Sequence, residues 1–132
     1  MTSTSDRRFV ILKHATEPPH FDLMIEHEEG LWTWSLYRDH LPETVGELDV
    51  ERIQDHRKAY LTYEGPVSGD RGRVRRVEEG TCTMGDIRPD TCFKGRFDGD
   101  TWQFPFHLKT TDRTGPRDNT VWVLTNTGRS DP

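Results

Sequence analysis

The chain has 132 residues, enough for one domain with a real core and too few to leave much room for a second. Counted with glycine and without tyrosine, apolar residues make up about 37% of it, below the ~45–50% usual for a globular chain, so the core has to lean on four Trp and six Phe. Eighteen Lys and Arg against 23 Asp and Glu leave a net charge of −5, which excludes a global positive field and requires any nucleic-acid contact to come from a local patch.

The opening, MTSTSDRRFVILKH, lacks a long apolar stretch ending in a small-residue cleavage site, and no run nears the ~20 apolar residues of a membrane helix. A cytoplasmic protein with no membrane partner is expected. Residues 1–7 and the tail from about Thr125 are polar and turn-rich, and both are expected to be loose ends of a single domain spanning 1–132. Between them, short apolar runs alternate with Gly, Pro and Asp: FVIL at 9–12, FDLMI at 21–25, LWTWSLY at 31–37, RGRVRRV at 71–77, WQFPF at 102–106 and TVWVL at 120–124. That rhythm predicts a mainly all-β fold of short antiparallel strands, a barrel or a sandwich, with one or two helical turns at most.

The clearest hairpin runs from His20 to Tyr37, with His27-Glu28-Glu29-Gly30 as its loop and Gly30 as the residue able to take a positive φ. Strand alternation puts His20, Asp22, Met24 and Glu26 on one face and Phe21, Leu23 and Ile25 on the other. Within 47–63, LDVERI alternates like a strand, whereas QDHRKAYLTY suits one or two helical turns that would set His56 and Tyr60 on a shared face. Cys82 and Cys92 have neither CxxC spacing nor a neighbouring histidine and read as ordinary thiols.

Three groups of residues carry chemical potential. His14, His20 and Asp22 place two imidazoles and a carboxylate where two strands meet, a facial set suited to Mn²⁺, Fe²⁺ or Zn²⁺. The same spacing also suits polar side chains on a solvated strand face. Arg71, Arg73 and Arg75 alternate into a stripe that can follow a phosphate backbone, with Arg38 and Arg57 as further basic neighbours, or that can simply face solvent beside Glu78 and Glu79. His56 with Tyr60 offers an imidazole to orient or protonate a departing oxygen and a phenol to hold a phosphoryl oxygen.

Taken together, these residues resemble the 3′-phosphoesterase domain of bacterial DNA ligase D, which also occurs as free-standing short proteins. The resemblance starts at Phe9-Val10-Ile11-Leu12-Lys13-His14 and continues through His20-Phe21-Asp22-Leu23-Met24-Ile25-Glu26 and Trp34-Ser35-Leu36. It is closest at Asp55-His56-Arg57-Lys58-Ala59-Tyr60 with Tyr63-Glu64-Gly65, and covers about residues 9–80. It implies a compact closed or nearly closed β-barrel that binds Mn²⁺ and removes a 3′-phosphate or 3′-ribonucleoside from DNA ends during repair. The family's metal ligands fall on His14, His20 and Asp22, its active-site histidine and tyrosine on His56 and Tyr60, and one of its basic residues on Arg38.

The chain departs from that pattern in three places. Met24 stands where better-known members have a phosphate-gripping arginine, Gln54 where they have glutamate, and Leu48 where they have arginine. The resemblance thus implies an intact metal set beside an altered phosphate set, with an arginine of the 71–76 stripe as one candidate replacement. Expected partners are DNA or RNA-containing 3′ ends and a DNA ligase or repair polymerase, with the protein itself a monomer. A catalytically weakened module that binds nucleic-acid ends is the second reading. A cupin-like metalloenzyme acting on a small molecule, using Glu26 as a further ligand, is the third.

Overall fold

The computed structural model describes residues 5–16, 18–67 and 72–128. Nine strands form one sheet: β1 (Ser5–Ala15), β2 (His20–His27), β3 (Gly30–Leu36), β4 (Glu47–His56), β5 (Gly65–Pro66), β6 (Arg73–Arg88), β7 (Cys92–Gly99), β8 (Gln103–Thr114) and β9 (Thr120–Asn126). The strands β1–β4 make one antiparallel meander and β6–β9 a second, joined where β4 pairs with β9. Pairing of β1 with β6, from Ala15 opposite Arg73 to Ser5 opposite Met84, closes the ring into an eight-stranded antiparallel barrel. The two-residue β5 lies against the start of β6.

All four Trp and all six Phe of the chain belong to the cluster of buried residues that fills the barrel. Phe97 stacks on Phe106 with centroids 4.2 Å apart, and Trp34 meets Phe93 edge-on at 5.3 Å. Few aliphatic residues are needed, because each aromatic ring buries a large apolar area. This is how a chain with so low an apolar share closes a core.

Several boundaries differ from the sequence expectation. Strand β1 starts at Ser5, because Arg7 reaches across to donate to the Glu26 carbonyl at 3.0 Å and lies over the Trp32 ring. At the other end, Thr125 and Asn126 pair with Glu47 and Phe106, and Thr127 N–H donates to the Pro105 carbonyl, so the loose tail does not begin at Thr125. Strand β7 went unrecognised in the sequence, since Lys94, Arg96 and Asp98 mask the inward-facing Phe93 and Phe97. The predicted hairpin is present as β2 and β3 around Glu28-Glu29, but Gly30 has no positive φ. A Cβ there would lie 3.0 Å from the His56 carbonyl oxygen, so glycine serves the close approach of β4 instead of the turn.

Between β4 and β6 the chain crosses the outside of the barrel through a 3₁₀ helix, Lys58–Leu61. Leu61 joins Val10, Leu12, Met24, Leu31 and Val74 in a second buried cluster on that outer surface, with Tyr60 and Val67 packed at its margin. The predicted helical turn is therefore only this 3₁₀ segment, and His56 ends a strand.

Two buried carboxylates tie turns to the barrel wall. Glu78, 2% exposed, accepts from the N–H groups of Thr101 and Trp102 at 2.8 and 2.6 Å. Replacing Glu78 with alanine leaves both donors without that acceptor, and a loss of roughly 2–4 kcal/mol is expected in urea unfolding. A change below about 0.5 kcal/mol would show that water takes over the role of the carboxylate. Both cysteines are free thiols, and burial pushes the Cys82 thiol up to about 12, which makes it inert at neutral pH. No helix among the described residues is long and apolar enough to cross a membrane.

Candidate metal centre

The faces separate as alternation predicts. Phe21, Leu23 and Ile25 enter the barrel core, whereas Met24 joins the outer cluster and His20 and Asp22 lie beside it on the outer surface. Register then assembles the site. His14 of β1 pairs with His20 of β2, while Leu12, Asp22, Ser35 and Glu51 form a row across β1, β2, β3 and β4. One ligand atom each from His14, His20 and Asp22 comes within 4.8 Å of the others. His14 is half-buried, and His20 and Asp22 are each only 3% exposed.

Hydrogen bonds orient two of these groups. The Thr16 hydroxyl donates its proton to the Pro18 carbonyl at 2.8 Å, so it accepts from His20 Nδ1, 3.3 Å away. In neutral His20 this leaves the lone pair on Nε2, which faces Asp22 Oδ1 at 3.5 Å and is open to a cation. Ser35 Oγ donates to the same carboxylate oxygen at 2.6 Å. Burial works against ionisation of Asp22, but while His20 is protonated its Nε2–H and its charge, then the Ser35 hydroxyl and the charge of His56, outweigh burial and hold the carboxyl below the usual carboxylate range. Two electron-pair donors facing one another inside a buried pocket suit a shared cation, and supporting groups such as Thr16 and Ser35 are what orients metal ligands. The donor set thus fits a divalent metal.

The cavity of about 450 Å³ over this cluster is lined by His14, Thr16, His20 and Asp22 on one side and by Ile53, Gln54, His56, Arg117 and Asn119 on the other. His56 Nδ1 donates to the Gln54 carbonyl at 3.0 Å, which leaves Nε2 free to take or give a proton. Its ring meets the ring of Tyr60 at 5.5 Å, nearly perpendicular, and Tyr60 in turn meets Tyr63 at 5.9 Å. The pair predicted on a helix face is thus brought together by the corner between β4 and the 3₁₀ helix. Tyr60 backs His56 and is not among the residues lining the cavity.

None of the predicted basic residues that the structure describes lines this cavity. Arg73 and Arg75 line a separate recess with Lys13, Glu64 and Gly65, and alternation sets their side chains opposite that of Val74, which packs with Leu12 and Met24. Arg38 borders another recess, with Tyr37, Glu47, Asp49 and Arg113. Arg57 is exposed ahead of the 3₁₀ helix, and Arg71 lies outside the described residues. Arg76 is engaged with Glu79 at 3.5 Å. Neither described arginine of the predicted stripe therefore takes the place of a cation at the triad, because alternation along β6 turns Arg73 and Arg75 away from it.

Three contributors escaped the sequence reading: Glu51, Arg117 and Asn119. Glu51 lies 66 and 68 residues from the other two and meets them only because β4 pairs with β9. Glu26, the ligand a cupin-like site would need, instead accepts from the Arg8 N–H and sits 4.0 Å from the Lys58 ammonium, outside the triad. No protein-family model matches the chain, and no curated protein matches it.

Proposed function

We propose that the protein is a metal-dependent phosphoesterase that trims 3′-phosphate or 3′-ribonucleotide ends of DNA during repair, with Mn²⁺ as its metal and Zn²⁺ as the alternative. The observation that carries this reading is the cluster of half-buried His14 with buried His20 and Asp22, lining the same cavity as His56. A divalent cation held by those three residues would supply Lewis-acid stabilisation of charge developing on a phosphoryl oxygen.

The protein's own groups have separate tasks. Thr16 and Ser35 orient His20 and Asp22, and the ionised Asp22 keeps its electron pairs available. His56, tethered through Nδ1, presents Nε2 to hold or deliver a proton at the departing oxygen. Tyr60 limits the tilt of that imidazole through its perpendicular ring contact. The resemblance to the ligase D domain supports the substrate class and the partnership with a DNA ligase or repair polymerase.

The test is cleavage of a labelled primer-template ending in a 3′-phosphate or a 3′-ribonucleotide. Release of the end group with Mn²⁺, and its loss on chelation, is the expected result. No turnover by protein that binds both Mn²⁺ and the DNA end would replace the hydrolase with an end-binding module. Failure to bind any divalent metal would overturn both.

A further inference from the structure

Resting on the phosphoesterase reading, the remaining question is which group receives the anionic oxygens of the end. Asp22 contributes negative charge to the cavity, and Glu51 adds a buried carboxylate, 2% exposed, in the same row. Among the described residues lining the cavity, Arg117 is the one Lys or Arg. It belongs to the turn between β8 and β9, whose backbone is held from below by Glu51. That carboxylate accepts from Arg117 N–H at 3.1 Å, Asn119 N–H at 2.9 Å and Asn119 Nδ2 at 3.1 Å.

The turn is shaped for this clamp. Gly115 N–H donates to the Asn119 carbonyl at 2.8 Å, and Asp118 sits in the left-handed region at φ 65°. A Cβ at Gly115 would lie 2.6 Å from a Glu51 carboxylate oxygen, so the close approach of the carboxylate requires glycine. Three surface arginines are neutralised by carboxylates, Arg113 by Asp49, Arg88 by Asp86 and Arg96 by Asp98, whereas those without an ion pair, such as Arg38, Arg73 and Arg75, line other recesses. Arg117 forms no such ion pair among the described residues, since the turn spends Glu51 on backbone donors.

We propose that Arg117 receives the terminal phosphate of the substrate, and that Glu51 is the positioning residue that holds the turn carrying it. A guanidinium offers a planar fork of donors matched to phosphate oxygens, and a preset backbone spares the ordering such a contact otherwise requires. The missing basic residue at position 24 is thereby replaced from the other meander of the barrel.

The experiment compares binding of a fluorescent oligonucleotide ending in a 3′-phosphate with the same one ending in a 3′-hydroxyl, by anisotropy, with and without Mn²⁺. Wild-type protein is expected to prefer the phosphate roughly tenfold. Arg117→Ala should erase the preference, Arg117→Lys should keep part of it, and Arg73→Ala with Arg75→Ala should leave the ratio unchanged. Absence of a preference in the wild type, or its survival in Arg117→Ala, overturns the proposal. Phosphate release measured in parallel separates the two readings: wild-type turnover with Arg117→Ala within twofold removes Arg117 but not the phosphoesterase. A preference that depends on Arg117 without turnover removes the phosphoesterase but not the anion site. For the clamp, Glu51→Gln and Gly115→Ala are expected to reduce the preference in folded protein, and an unchanged ratio in either would end the positioning role of Glu51.

Discussion

Substituting His20 with alanine is expected to abolish Mn²⁺ binding and end trimming together, with at least a ~100-fold fall in metal affinity. The geometry makes His20 the least replaceable of the three donors. Its Nδ1 is committed to Thr16, its Nε2 faces Asp22, and its ring lies between those of His14 at 4.8 Å and Tyr37 at 5.6 Å. Asp22 is kept from swinging into the vacated position by its hydrogen bond from Ser35. Asp22→Asn is the companion variant: it keeps the volume and removes the charge, so it separates loss of a ligand from loss of packing. Ser35→Ala and Thr16→Val should each weaken metal binding by about 10- to 100-fold without abolishing it, as groups that orient ligands do. Isothermal titration with MnCl₂ and the primer assay read both quantities. Wild-type affinity in His20→Ala would remove the metal centre from this face of the barrel.

Met24→Arg, the substitution that would restore the ligase D pattern, is expected to destabilise the protein and not to repair it. Met24 is 1% exposed and enclosed by Val10, Leu12, Leu31, Leu61 and Val74. A guanidinium in that cluster would be buried with no carboxylate among those neighbours, an arrangement costing on the order of 3 kcal/mol or more. The melting temperature should fall by roughly 10 °C. Turnover should fall as well, because Leu61 belongs to the 3₁₀ helix that also carries Tyr60, the residue backing His56. An unchanged melting temperature with raised activity would mean that the arginine stem lies along the apolar cluster and delivers its head to the cavity. Leu48 differs in kind: it belongs to the barrel core and does not line the cavity, so its departure from the family pattern leaves the site's lining untouched.

Much of this arrangement is legible in the sequence. Alternation along residues 20–26 separates the chemical face from the core face, and the spacing of His14 from His20 already places them as partners across a hairpin. The all-β class follows from the short aromatic runs. The positions of Arg73 and Arg75 were harder to foresee, since a stripe shows that residues share a face but not which face of the barrel it is. A shift of register between Ile11 and Leu12 intervenes in β1's pairing with β6. Glu51 and Arg117 were illegible for another reason. A single glutamate in a strand and a single arginine in a Gly-Pro-Arg-Asp-Asn turn carry no local signature, and their meeting depends on β4 choosing β9 as its neighbour. Pairing between distant strands is the information that local periodicity lacks.

The β1–β6 seam bears on how the chain reaches its native state. Each meander can assemble from neighbouring hairpins, whereas joining Ala15 to Arg73 and Ser5 to Met84 closes a loop spanning about half the molecule. Contacts of such sequence separation form slowly, so ring closure is expected as the late, rate-limiting event in folding. Until then β1 and β6 are open edges, able to recruit strands from other chains. Slow closure therefore leaves this barrel most vulnerable to misassembly at the seam next to His14, where an intruding strand would also displace one member of the His14, His20 and Asp22 cluster.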